Sequence, residues 1–193
     1  MDPLFAFVFV GLFSPGPNVI LLTASGARFG FVRTLPHVAG VALGVGIIAA
    51  LTGIGIGALL GRYPALELTL KVVASAWIVW MGVTLWRSSA SGQRQAGDQP
   101  WGIVKAILFQ WVNPKIWAVA LAAASGFPGG LSPWGEALRL GATFSGLNLF
   151  VCLFWSFAGS LLALLLTTPH AWKIFARVMA TGLLASALMV FLG

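Results

Sequence analysis

Two short motifs interrupt an otherwise apolar chain: Ser14-Pro15-Gly16-Pro17-Asn18 and Asn113-Pro114-Lys115. A proline inside a helix loses its own hydrogen bond and collides with the carbonyl four residues back. The carbonyls of Gly11, Phe13 and Gln110 are therefore expected to be freed. Each motif also spells a helix start, with Ser14 or Asn113 as the cap and proline at the first helical position. A helix that starts inside a membrane presents unpaired N–H groups and the positive end of its dipole, and both attract anions. Lys115 adds a formal charge. These groups suit a carboxylate, and the freed carbonyls suit an ammonium group. The expected chemistry is non-covalent recognition of a neutral zwitterion. Its substrate-binding residues are Ser14, Pro15, Gly16, Pro17, Asn18, Asn113, Pro114 and Lys115.

Covalent chemistry has no comparable support. Ser145-Gly146 follows Thr143-Phe144 rather than a Gly-x-Ser-Gly elbow, and His170 falls in a loop, so no nucleophile–base pair is expected. Cys152 stands alone in an apolar stretch, which excludes a disulfide, a Cys-x-x-Cys redox pair and a cysteine-rich metal site. It reads as a buried small hydrophobe. No catalytic residue, metal or cofactor is expected. Lys71 and His37 are candidates for gating or coupling. Lys71 lies close enough to a helix end to snorkel, and His37 follows Pro36 near another, an interfacial position. Arg28 and Arg33 read as topology determinants. Ser145 and Asn148 either contact substrate or bond a neighbouring helix. The four acids, Asp2, Glu67, Asp98 and Glu136, all fall at helix ends or in loops. With no carboxylate in a helix centre, a cationic substrate such as lysine or arginine is disfavoured.

The elements that must position these groups are membrane helices. Of 193 residues, 59% are hydrophobic and 8% charged, and the mean hydropathy is +0.97. Soluble domains carry roughly 25% charged residues, so this chain cannot cover a water-facing surface. The net charge of +7 does not indicate nucleic acid, because the basic residues sit singly in breaks between apolar runs. Charge gaps of about 20 residues predict six spans, at about 4–25, 34–61, 68–86, 101–124, 139–166 and 172–192. The runs are too long and too unalternating for strands. The stretch 87–100 is a polar linker. The whole chain, 1–193, reads as one transmembrane transporter domain with half-repeats of about 1–86 and 101–193. The second span carries Gly40/Gly44, Gly53/Gly57 and Gly57/Gly61 at the spacing that lets helix backbones approach.

Three helices per half make the halves inverted, and each opens on a proline-broken helix, the first and the fourth. Matched broken helices in inverted halves are the mark of a secondary transporter's substrate site. The loops after spans one, three and five collect Arg28, Arg33, Arg87, Arg94, Lys105, Lys173 and Arg177, against Arg62, Lys71 and Arg139 opposite. By the positive-inside rule both termini are expected outside the cytoplasm. With Asp2 and no basic leader region, the first run is expected to remain as a span rather than be cleaved. A non-transporting helical scaffold or accessory subunit is the alternative reading.

The residues also resemble a known family. Pro15-Gly16-Pro17, Gly40-Val-Ala-Leu-Gly44 and Asn113-Pro114-Lys115 are similar to motifs of the LysE/RhtB amino-acid exporters. Lys71, Trp77, Ile78 and Gly82 stand where that family has Lys, Tyr, Leu and Gly, while Thr34, Ala74 and Ala106 replace family glycines. The resemblance covers nearly the whole chain. It implies export of amino acids or related small metabolites across a bacterial cytoplasmic membrane, driven by an ion gradient. The expected partners are a small-molecule substrate, the lipid bilayer, a proton or sodium ion, and further copies of the chain in a homo-oligomer.

Overall fold

The computed structural model describes residues 2–55, 64–87 and 99–189. All elements among them are helices: α1 Pro3–Phe13, α2 Pro17–Phe29, α3 Phe31–Ile54, α4 Pro64–Arg87, α5 Ile103–Trp111, α6 Pro114–Gly126, α7 Pro133–Leu162 and α8 Pro169–Met189. Proline opens most of these helices, where its missing N–H costs nothing and its fixed φ favours the first turn. Side-chain caps complete several starts. Asp2 accepts from the Leu4 N–H at 2.9 Å, Ser132 from Gly135 at 3.2 Å and Thr168 from Ala171 at 3.1 Å.

Three described helices, α3, α7 and α8, are long and apolar enough to cross a membrane. The first and fourth expected spans are each a bent pair: α1 and α2 meet at 58°, α5 and α6 at 65°. Counting each pair as one span gives five. The third expected span corresponds to α4, which is 24 residues long. The chain is a multi-pass membrane protein. The linker residues 88–98, Arg62, Gly57, Gly61 and the side chains of Lys71 and Glu67 lie outside the described residues.

Two boundaries differ from expectation. The loop expected around Arg28 and Arg33 is the single residue Gly30, whose φ of 85° lets the chain turn directly from α2 into α3. Both arginines therefore belong to helices, Arg33 with its side chain exposed. In the second span α3 closes at Gly55, whose left-handed φ of 105° ends the helix while its N–H bonds back to Thr52; the rest of the expected span, 56–61, lies outside the described residues.

Small residues determine which helices touch. The principal contact is α3 on α7, and α7 also packs closely on α2. A Cβ on Gly26 of α2 would overlap the carbonyl of Ser156, and one on Gly159 of α7 would overlap the carbonyl of Thr23. Gly40 and Gly44 face the other broken span: a Cβ there would lie 2.6 Å from the Ala106 Cβ and 2.7 Å from the Gln110 Cγ. Each broken span is thus clasped by the long helix of the opposite half, α1–α2 by α7 and α5–α6 by α3. The main core lies between them, from Leu4 and Val8 through Val41, Val45 and Ile48 to Phe144. Helices α4 and α8 form a second pair that reaches this body mainly through α2, sharing an apolar cluster with Ile20 and Phe109.

Candidate functional site

The two breaks face one another across the body. In the first, α1 ends at Ser14 and α2 begins at Pro17, with Gly16 as its cap residue. Ser14 is therefore not the start of the second half-helix. Its N–H returns to Val10, its hydroxyl donates to the Gly11 carbonyl at 2.9 Å, and it closes α1. Pro17 rather than Pro15 takes the first helical position. In the second break Asn113 does precede Pro114 at the first position of α6, but its side chain does not cap the helix. The starts of α2 and α6 both lack a side-chain cap.

The freed carbonyls are also redistributed. Those of Gly11 and Gln110 are occupied, by the Ser14 hydroxyl and by the Asn113 N–H at 3.1 Å. The Phe13 carbonyl faces Pro17, which has no N–H to give it, and the carbonyls of Ser14 and Pro15 both accept from the Lys115 ammonium, the second at 3.3 Å. Lys115 sits in the first turn of α6, so one side chain joins the start of the fourth span's second half to the break in the first span. Gly16 makes room for it, because a Cβ there would lie 2.7 Å from the Lys115 Cδ.

Beside this tie is a second one that the sequence reading missed. Asn18 donates to Gln110 at 2.8 Å, and Gln110 donates back to Asn18 at 3.2 Å and to the Ala106 carbonyl at 2.9 Å. Asn113 donates to the same Gln110 oxygen at 3.4 Å. Gln110 and Asn113 are fully buried and Asn18 nearly so. Three amides from the two breaks thus form one polar cluster, with the Asn113 oxygen still unpartnered. The signal was available: an uncharged amide three residues before Asn113-Pro114 has no other polar company in that apolar stretch. Ser14, Pro15, Gly16, Asn18, Asn113 and Lys115 are brought together directly, with Pro17 and Pro114 opening the helices that carry them.

His37 lies elsewhere. It is buried within the protein, with 2% of its surface exposed, and its ring centroid is 5.2 Å from that of Trp101. It lines a cavity of about 310 Å³ between α2, α3 and α5 on one side and α4 and α8 on the other. None of the eight expected substrate-binding residues lines this cavity. Its wall does carry Arg28, Lys105 and Trp172, from the ends of the three loops expected on one membrane face. On the opposite end Arg139 bonds Glu136 at 2.8 Å and the Phe127 carbonyl, and lies 3.9 Å from Asp2. Ser145 packs on Gly46, and Asn148 is buried with its amide nitrogen unpartnered.

Comparison with known proteins gives these features a family context. The family model described as LysE type translocator matches residues 9–193. A Vibrio cholerae protein named "Uncharacterized membrane protein" is 29% identical over 140 residues, 67% of this chain and 66% of that one. A homoserine/homoserine lactone efflux protein of Salmonella typhimurium is 28% identical over 108 residues, 53% and 52% of the two chains. A cysteine/O-acetylserine efflux protein of Salmonella choleraesuis is 28% identical over 128 residues, 66% and 65% of the two. The matched stretches thus span between 52% and 66% of the length of these curated relatives. No solved structure matches the chain. Because the family model takes in both breaks and all that lies between them, the protein belongs to the LysE type translocator family.

Proposed function

We propose that the protein is a secondary-active exporter of amino acids or related small metabolites, working by alternating access and favouring neutral zwitterions. The observation that carries this reading is the joint between the two broken spans. Irregular backbone at membrane depth is tolerated only inside protein or beside a wet cavity, and here two such breaks share one buried polar cluster. Two helix starts without side-chain caps, the Lys115 charge and the unpartnered Asn113 oxygen supply groups for a carboxylate and an ammonium. The efflux names of two relatives agree with the direction of transport. The reciprocal clasp of α1–α2 by α7 and α5–α6 by α3 supports two inverted three-helix repeats in a six-span chain.

Purified protein in proteoliposomes, with no other subunit, is expected to release loaded neutral amino acids when a proton or sodium gradient is imposed. Neutral amino acids should compete, and their methyl esters and carboxamides should fail, since the α-carboxylate is what the helix starts hold. Equal competition by the esters would remove the helix-start model. Absence of efflux under either gradient would favour the scaffold or accessory-subunit reading.

We place the protein in a bacterial cytoplasmic membrane with both termini outside. The grouping of Arg28, Lys105 and Trp172 at one cavity, and of Asp2 with Arg139 at the other end, supports the assignment of loops to faces. A single cysteine at Gln93, introduced after removal of Cys152, should react with an impermeant reagent only once the membrane is opened. Labelling of intact cells would reverse the orientation.

A further inference from the structure

We infer that the cavity between the α4–α8 pair and the body is a binding chamber for an anion with an apolar or aromatic body, separate from the joint of the broken spans. Its volume of about 310 Å³ falls at the lower end of small-molecule sites, which run from about 300 Å³ upward. Its charged lining is of one sign: Arg28 and Lys105 contribute to the wall, and no carboxylate does among the described residues. The apolar lining is rich in indole, from Trp80, Trp101 and Trp172. Such flat, amphipathic rings cover an aromatic or branched apolar body without losing much side-chain freedom.

An independent feature marks the cavity as a place for a ligand. His37 is 98% buried by its 2% exposure, lines the cavity, and has neither ring nitrogen hydrogen-bonded to the protein. Buried polar atoms are nearly always partnered. The partner assigned here is a ligand in the cavity that the ring lines, reached once the groups covering both ring nitrogens move aside. Trp101 lies between His37 and a cation of the wall: its ring is 5.2 Å from the imidazole and 4.5 Å from the Lys105 ammonium. A carboxylate placed here accepts from the imidazole N–H and the ammonium, while its body rests on the indoles. A chamber that held a zwitterion by both ends would need an acceptor for the ammonium, and this wall offers no acid.

The chemistry is shared by free apolar carboxylates and by anionic lipid headgroups, and one experiment separates them. The probe is 3-phenylpropionate, with 3-phenylpropionamide as its uncharged counterpart, read by tryptophan fluorescence of the full chain in phosphatidylcholine nanodiscs. The acid is expected to bind saturably and at least about tenfold more tightly than the amide, the value of one charge-assisted contact. Lys105→Gln and His37→Phe should each weaken the acid several-fold and leave the amide unchanged. Arg33→Gln, which removes an exposed charge outside the cavity, should change neither. Repeating the titration in phosphatidylglycerol nanodiscs assigns the source. Loss of the signal there identifies a lipid headgroup as the natural anion, and persistence identifies a free carboxylate. Equal binding of acid and amide to the unmodified protein overturns the inference, as does acid binding unaffected by Lys105→Gln in a protein with an unchanged gel-filtration profile. The acid–amide comparison needs no variant, so a folding defect cannot hide the outcome. Failure of this test leaves the exporter reading standing, since that rests on the broken spans.

Discussion

Gln110→Met alone is expected to destabilise the protein, and Asn18→Leu alone to do the same, while the two together largely restore it. Asn18→Leu leaves the Gln110 amide without its partner across the break, and Gln110→Met leaves those of Asn18 and Asn113 without theirs, at about 1–3 kcal/mol for each buried group. Replacing both by apolar groups of similar volume removes the unpaired atoms of this pair, leaving only the Asn113 amide without its bond, and exchanges of a whole pair are often close to neutral. In thermal melts followed by gel filtration, the single variants should lose roughly 2–10 °C. The double variant should recover most of the loss, short of the weak Asn113 bond at 3.4 Å that it also forfeits. Additive losses would mean that the two amides do not bond one another across the breaks.

Lys115→Ala is expected to lower export roughly tenfold or more and also to reduce stability. The sequence alone suggests a lysine whose role is functional rather than structural. The geometry gives it both roles, because its ammonium is the donor to the Ser14 and Pro15 carbonyls. Without it the two carbonyls at the break lose their partner, at about 1 kcal/mol or more where they are shielded from water. The start of α6 is then no longer tied to the first break. Lys115→Met keeps the stem that packs against Gly16 and removes only the charge and its bonds. Export per molecule of folded protein, compared between the two variants, separates the contributions. A tenfold change in rate corresponds to about 1.4 kcal/mol, so the joint need only be modestly disturbed to be visible. Normal transport per folded molecule in Lys115→Met would leave the lysine as a packing residue.

The breaks were legible because proline acts locally. Pro17 and Pro114 open α2 and α6 wherever the rest of the chain lies, and the bends of 58° and 65° follow at the places the motifs mark. Which residue begins α2 was not legible. Pro15 and Pro17 are both acceptable first residues, and the outcome depends on where Lys115, a hundred positions away, finds its acceptors. The same long-range dependence hid Gln110, whose partner Asn18 is 92 residues distant. It hid the cavity too, which exists only because α4 and α8 pair with each other and meet the body at α2. His37 illustrates the difference in kind. Its position after Pro36 indicated a helix end, yet α3 begins earlier at Phe31, and the ring is buried by neighbouring helices that the local sequence does not name.

The central claim is that the polar joint between the two broken spans belongs to the transport pathway and does more than hold the fold. The Asn18→Leu/Gln110→Met protein tests it directly, because that variant is expected to be folded and to lack the amide pair. Reconstituted beside the unmodified chain at equal amounts of folded protein, it should retain less than about a tenth of the gradient-driven amino-acid efflux, a rise of about 1.4 kcal/mol or more in the rate-limiting barrier. Efflux equal to that of the unmodified chain would contradict the account and return the joint to a purely structural role.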